Sequence, residues 1–437
     1  MKPDRRLWLP LLGWAISRAV VIGLWLFAEQ VLPGDVGYYF DRMHRYLALG
    51  ASVAQTMPEY PTPVLWLLMV PYALSGQTAQ GFLIAFVALM MALDLAFTVL
   101  LWQRGRGQAA VWFWIGFVVA IGPIAYLRLD LVTSVAVGAA LVALSRGADR
   151  IGGVLLALGA GLKLWPGTLW PTTVSGTRRR DHLVTISFFT TGVVLVVAAL
   201  VHGGFGRLIS PLGWQSGRGL QIESIWATPA MIARLFAPQD YQVEFSRWQA
   251  FEVFGPGVEQ WLAISSMLTY AGYLVIVAAY VLWFRSRYPE SFGRPPRLVN
   301  ATQPATPAAI GLFMVVVITI TLITNKTFSP QYLIWLGATV AALLLLAGPP
   351  EPWIKWTARV AAYQVLVLAF ATQLIYPIWY DPLIGYQPEP AFATVLLALR
   401  NLGLVVLGGW LFVRFWPVLL NRPVANAKPV SAVSAGL

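Results

Sequence analysis

The sequence predicts an all-α polytopic membrane protein of about 11–12 helical spans, and three observations lead there. Apolar runs of about 20 residues recur along the chain, each long enough as a helix to cross ~30 Å of hydrocarbon. Hydrophobic residues make up 58% of the 437 positions and charged residues only 11%. A soluble domain carries about 25% charged residues, so this chain cannot clothe a water-facing surface of its size. Alternating ten-residue barrel strands are missing, which leaves helices to satisfy the backbone hydrogen bonds.

The first run, 7–27, has no small-residue cleavage site and is too long for a signal peptide core, so it is expected to stay as an anchor. An external stretch, 28–62, follows it. Within this stretch, Asp35-Val-Gly-Tyr-Tyr-Phe-Asp41-Arg-Met-His44-Arg45-Tyr46 reads as an amphipathic interfacial helix with aromatic anchors. Further spans are expected at 79–102 and 111–127. The segments 131–144 and 151–174 are short for full crossings. Lys163-Leu-Trp-Pro166 splits the second, because Pro166 disfavours a helical Trp165. A tight re-entrant-like hairpin is predicted there, its tip presenting Lys163 near the outer face. Runs at 184–201, 261–284, 308–324, 332–347, 358–375 and 391–412 complete the set, with a long external loop at 202–260. Residues 1–421 are expected to form a single transmembrane domain without internal repeats, and 422–437 a disordered cytoplasmic tail.

The net charge of +12 does not point to nucleic acid. Basic residues cluster in short segments between apolar runs, around Arg5, Arg104, Arg146, Arg179 and Arg285. Segments rich in Lys and Arg face the cytoplasm, which places both termini inside. The alternate segments then hold most of the acids. The protein is expected in a cell's inner (plasma) membrane. Long loops on one side exceed what connecting helices requires, so function is expected on the outer face.

Three ionisable residues, Arg18, Asp94 and Arg400, fall inside spans, where each costs at least ~2.5 kcal/mol unless paired or hydrated. Arg18 and Asp94 could form a structural pair between two spans or serve function. Asp35 opens the interfacial helix, either as a cap accepting backbone N–H bonds or as a general base at the membrane edge. Asp41 and Glu59 compete for that role, and His44 reads as a surface histidine. Three histidines and no cysteine assemble no zinc site, and no glycine-rich phosphate loop opens a helix.

Five segments in order resemble the integral-membrane glycosyltransferases of the GT-C class, most closely glycosyltransferase family 87. They are Asp35-Val-Gly-Tyr-Tyr; Glu59-Tyr-Pro-Thr-Pro63; Arg128-Leu-Asp130; Lys163-Leu-Trp-Pro166; and Arg218-Gly-Leu-Gln-Ile-Glu-Ser224 with the later Asn325-Lys-Thr-Phe-Ser-Pro-Gln-Tyr-Leu-Ile-Trp335. The chain departs from the family's usual Tyr-Pro-Pro at Tyr60-Pro61-Thr62. The resemblance implies a GT-C fold and transfer of a sugar, mannose or arabinofuranose, from a polyprenyl-phosphate donor to a glycolipid or glycan hydroxyl. It implies Asp35 as the base and no cofactor. Lys163, Arg218 and Lys326 lie in matching segments and are candidates to hold the donor phosphate. Glu59, Tyr60, Arg128, Asp130, Gln221, Glu223 and Gln331 are candidates for sugar and acceptor. The competing class is a transporter or flippase of a lipid-linked saccharide, which would be expected to show repeated halves and mid-membrane polar sites.

Overall fold

A computed structural model describes residues 8–28, 34–102, 108–292, 304–349, 351–385 and 391–420. The predicted tail and the basic clusters at 2–6, 104–106 and 294–297 lie outside the described residues. The chain is nearly all-α. Its elements are α1 (Trp8–Ala28), α2 (Gly34–Leu47), α3 (Pro63–Leu74), α4 (Ala79–Leu101), α5 (Gln108–Ile121), α6 (Asp130–Ser145), α7 (Asp149–Leu162), α8 (Arg178–Ser216) and α9 (Thr228–Phe236). A hairpin of β1 (Gln242–Phe245) and β2 (Phe251–Phe254) comes next. It precedes α10 (Val258–Arg287), α11 (Pro307–Thr324), α12 (Ile334–Leu346), α13 (Pro352–Gln373), α14 (Tyr380–Ile384) and α15 (Ala391–Leu419).

Among the described residues eight helical segments are long and apolar enough to cross a membrane: α1, α4, α5 with the 3-10 turn that carries it on to Ala125, α8, α10, α11, α13 and α15. The larger number expected from sequence includes shorter segments. Helices α6, α7 and α12 have 16, 14 and 13 residues, about 20–24 Å at 1.5 Å per residue, short of ~30 Å of hydrocarbon. Burial sorts the helices further. The apolar window of α11 is 78% buried by its neighbours, whereas that of α8 is only 11% buried. A bare apolar face of that length is at home in lipid and not in water.

Small residues set the close approaches in the centre. A Cβ on Gly138 of α6 would stand 2.8 Å from the Ala338 carbonyl of α12, and one on Gly337 would meet the Phe117 ring at 2.2 Å. Ser134 Oγ donates to the Ile334 carbonyl at 2.6 Å, tying the same pair of helices by the polar contact that hydrocarbon surroundings favour. Arg18 of α1 and Asp94 of α4 form a buried ion pair at 2.8 Å. The Asp94 carboxylate also accepts from Trp14 Nε1 at 2.7 Å, Trp114 Nε1 at 2.7 Å and Tyr126 hydroxyl at 2.6 Å. The pair is therefore a structural pin between spans, with every carboxylate lone-pair region occupied.

The amphipathic helix expected after the first span is α2. It buries Val36, Tyr39 and Met43, spaced three and four apart as one helical face demands, while Asp41 and Arg45 pair on the exposed face. His44 departs from expectation: it is half-buried, bonds the Tyr72 hydroxyl through Nδ1 at 3.0 Å and stacks on Phe40. At the predicted hairpin, α7 stops at Leu162 and Lys163 turns extended. A 3-10 stretch, Trp165–Thr173, then folds back so that Pro166 packs on Gly159 of α7.

Two features of 202–260, the stretch expected to be a long external loop, differ from the sequence reading. Helix α8 runs on through Ser216, bending at Gly204 with φ +75° and ψ 178°, a backbone that glycine adopts without Cβ strain. The small sheet was also unforeseen. Val243 pairs Val253, and both are buried; in β1 the neighbours Gln242 and Glu244 turn outward as a strand's period of two requires, whereas in β2 Glu252 is buried as well. Residues 220–222 add to β2 through Val253 N–H to Leu220 O and Ile222 N–H to Phe251 O, both 3.1 Å.

Candidate functional site

The first turn of α2 carries Asp35, where a carboxylate suits the positive end of the helix. Its carboxylate pairs with the Arg128 guanidinium, and its side chain is 44% exposed whereas that of Arg128 is 7% exposed. Arg128 follows the 3-10 turn Gly122–Tyr126, which delivers it beneath α2. Burial alone would favour losing its proton. Asp35, then Tyr376 and the tyrosines of α2 and its loop, more than offset this and raise its affinity for the proton. Arg128 also donates to the Tyr376 hydroxyl at 3.2 Å. The cation is thus fixed, and it presents one carboxylate toward open space.

Two residues further on, Asp130 begins α6. Its Oδ1 accepts from Lys163 Nζ at 2.6 Å and from Trp335 Nε1 at 2.6 Å. The Lys163 ammonium lies 6.0 Å from the Tyr60 ring, 5.2 Å from Tyr332 and 5.9 Å from Trp335, within range of cation–π attraction. Trp165 stacks on Trp335 at 4.9 Å. The Tyr60 hydroxyl shares a hydrogen bond with that of Tyr39 at 3.1 Å, and Tyr38 donates to Glu59 at 2.8 Å. Burial raises the Glu59 pKa above its ordinary value, opposed by its own backbone N–H, Tyr38 and nearby arginines. Asp35, Glu59, Tyr60, Arg128, Asp130 and Lys163 therefore gather in one region.

A second region holds the remaining candidates. Gln221 donates to Ser329 Oγ at 2.9 Å. Glu223 is buried against Arg400 of α15 at 3.6 Å, and the guanidinium also donates to the Glu223 carbonyl at 3.1 Å and covers the Phe328 ring at 4.4 Å. Burial pushes the Glu223 carboxyl up to about 7, against the pull of Arg400 and Tyr380. The Tyr380 ring meets Tyr376 edge-on at 4.7 Å, so this tyrosine pair connects the second region to Arg128. Lys326 lies near Glu252 and Arg218, whereas Lys163 pairs with Asp130. Arg218 donates to the Trp248 carbonyl at 3.1 Å. Burial lowers the Lys326 pKa, with Glu252 acting against the shift and Arg218 with it. Glu252 is itself buried and accepts from Gly219 N–H at 2.8 Å. Of the three cations expected at a donor phosphate, Lys163 is thus paired with Asp130, and Lys326 lies near Glu252 and Arg218. Gln331 sits half-buried in the 3-10 turn Pro330–Leu333.

Sequence reasoning missed four residues that hold this arrangement: Tyr376, Tyr380, Glu252 and Arg207. Arg207, on the arm of α8 beyond the Gly204 bend, donates to the carbonyls of Val53, Thr56, Met57 and Tyr60 at 2.8–3.3 Å. It clamps the loop that carries Glu59 and Tyr60. None stands in a recognisable motif, and only the fold brings them to the site. Comparison of the chain with protein-family models and with curated proteins finds no match. Fold and composition define a multi-pass, nearly all-α membrane protein, and the Asp130–Lys163 pair stands where α6 begins and α7 ends.

Proposed function

We propose that this protein is a GT-C membrane glycosyltransferase. It moves a sugar, mannose for preference, from a polyprenyl-phosphate carrier to a hydroxyl of a glycolipid or glycan at the outer face of the plasma membrane. The observation that carries the reading is the Asp35–Arg128 pair: a half-exposed carboxylate held in place by a buried guanidinium. Both lie in segments that resemble family 87. In the reaction the acceptor O–H gives its proton to Asp35, and its oxygen attacks the anomeric carbon. The bond from that carbon to the phosphate oxygen breaks with inversion, and the electron pair leaves on the phosphate. Charge builds on the departing phosphate, where Lys163, Arg218 and Lys326 are the available cations. Lys163 is neutralised by Asp130 in this state, so phosphate engagement requires it to exchange partners. The inside bias of the arginine clusters supports the outer placement.

Purified protein in detergent, given radiolabelled polyprenyl-phosphate mannose and candidate glycolipid acceptors, should form glycosidic product. Asp35→Asn should lower turnover at least ~100-fold while donor binding persists, because a general base typically contributes roughly 10²–10⁴-fold. Asp41→Asn, on the exposed face of α2, should cost little. Product that forms only in sealed vesicles, or an Asp35→Asn protein of normal turnover, would overturn the proposal.

A further inference from the structure

The outer arm of α8, residues 205–216, is amphipathic the wrong way round for water. Phe205, Ile209 and Leu212 are 67%, 43% and 58% exposed. At 100° per residue they share one face with Gly206 and Gly213. Arg207, Ser210, Pro211 and Trp214 lie on the opposite face, against the protein, and Arg207 is only 2% exposed. A helix in water turns its arginine out and its phenylalanine in. The reversed pattern fits a medium more apolar than the protein surface it packs on.

Two further observations identify that medium as lipid. The apolar face is continuous with the bare face of the crossing part of α8, where Val193, Val194, Val197 and Val201 are 60%, 61%, 52% and 84% exposed. The part before the Gly204 bend spans ~39 Å at 1.5 Å per residue, enough to cross ~30 Å of hydrocarbon. The bend therefore falls where the helix leaves the bilayer core, and the arm beyond it has an apolar face still to cover.

We infer that residues 205–216 lie in the interfacial layer of the bilayer, with Phe205, Ile209 and Leu212 seated at the boundary of headgroups and acyl chains. The partner is the lipid surface itself. On the protein side, Arg207 binds four carbonyls of the 53–60 loop, and Ser210 Oγ donates to the Pro58 carbonyl at 2.8 Å. Seating in lipid thereby positions the loop that carries Glu59 and Tyr60, and Arg207 is a positioning residue. The inference stands apart from any reaction, and its test reads no activity.

The chain has no cysteine, so single cysteines at Phe205, Ile209 and Leu212 can each carry an environment-sensitive fluorophore in phosphatidylcholine–phosphatidylglycerol vesicles. All three should be quenched by lipid-borne nitroxides and be at least about fivefold less sensitive to aqueous iodide than a label at the exposed Gln239. Iodide quenching equal to that at Gln239 overturns the inference. So does shielding from both quenchers that disappears when the protein is diluted in lipid, because a second copy would then cover the face. For the coupling, Arg207→Gln and the milder Arg207→Lys are each combined with Met57→Cys. Thiol modification of that buried position should speed up about tenfold or more in the glutamine variant and less in the lysine one, with the Leu212 label unmoved. Unchanged modification in both variants overturns the positioning role.

Discussion

Asp94→Asn tests whether the buried pin between α1 and α4 is as demanding as its geometry implies. Oδ2 of Asp94 accepts from Trp14 Nε1, Arg18 Nε and the Tyr126 hydroxyl, and Oδ1 accepts from Arg18 Nη2 and Trp114 Nε1. Asparagine keeps one oxygen and turns the other into a donor. Whichever way the amide is placed, at least two donors then face its NH₂, and Arg18 loses its counter-charge. Removing one partner of a buried ion pair costs about 3–5 kcal/mol, and each hydrogen bond to a charged group adds about 1.5–3 kcal/mol. Losses of this kind overlap and do not add in full, so a total of about 5 kcal/mol is expected. That is comparable with the whole stability of many domains. Thermal unfolding in detergent, followed by size-exclusion recovery, should show a large loss for Asp94→Asn. A double replacement, Arg18→Met with Asp94→Leu, should be more stable than the single variant because it removes both buried charges. Tyr126 stands two residues before Arg128, so the single variant should also weaken the Asp35–Arg128 pair. A single variant within ~1 kcal/mol of the native protein, or a double variant no better than the single, would refute the reasoning.

Lys163→Met strands the buried Asp130 with Trp335 as its one remaining donor, so stability should fall by about 3 kcal/mol in the same unfolding assay, and adding Asp130→Asn should recover part of it. Glu223 has a folded-state pKa of about 7 against an ordinary 4.5, so the folded state favours its protonated form. Its stabilising contribution is complete below about pH 4.5 and is lost as pH rises through 7, by about 3 kcal/mol. The melting temperature of the native protein relative to Glu223→Gln should therefore drop across that window, and a constant difference would remove the assignment. A cysteine at the exposed Ser52 should react with an impermeant thiol reagent in intact cells, while one at the exposed Arg179 should not. The reverse labelling would invert the topology.

The sequence made the coarse architecture legible because bilayer thickness acts on run length alone. α1, α4, α10 and α11 lie within a few residues of the runs that announce them. It also made one region of the candidate site legible, because Asp35, Arg128, Asp130 and Lys163 each stand where an apolar run stops, and ends of runs meet at one surface. The β1–β2 hairpin carried its signal in Gln-Val-Glu-Phe and Phe-Glu-Val-Phe, but four-residue strands are easily passed over beside twenty-residue helices. Arg207 and Tyr376 had no local signal. Their importance comes from partners more than a hundred positions away, Arg207 with Tyr60 and Tyr376 with Arg128. The pairing of Lys163 with Asp130 and the approach of Lys326 to Glu252 were equally hidden, since order along the chain does not say which loops share a corner. Carboxylates at 130 and 252 recruited different cations.

The contact between α15 and residues 220–228 has a consequence for how the chain is made. Arg400 holds the Glu223 carbonyl, and Asn401 donates to the Ser224 carbonyl at 3.2 Å and to Thr228 Oγ1 at 2.7 Å. These anchors emerge from the ribosome some 170 residues after the segment they secure. Until α15 is inserted, a nascent chain can already assemble the Asp35–Arg128 and Asp130–Lys163 pairs and lay residues 220–222 on β2, yet Glu223 and Ser224 still lack their Arg400 and Asn401 anchors. Biosynthesis thus finishes the site from its far side, with the last membrane helix acting as the latch.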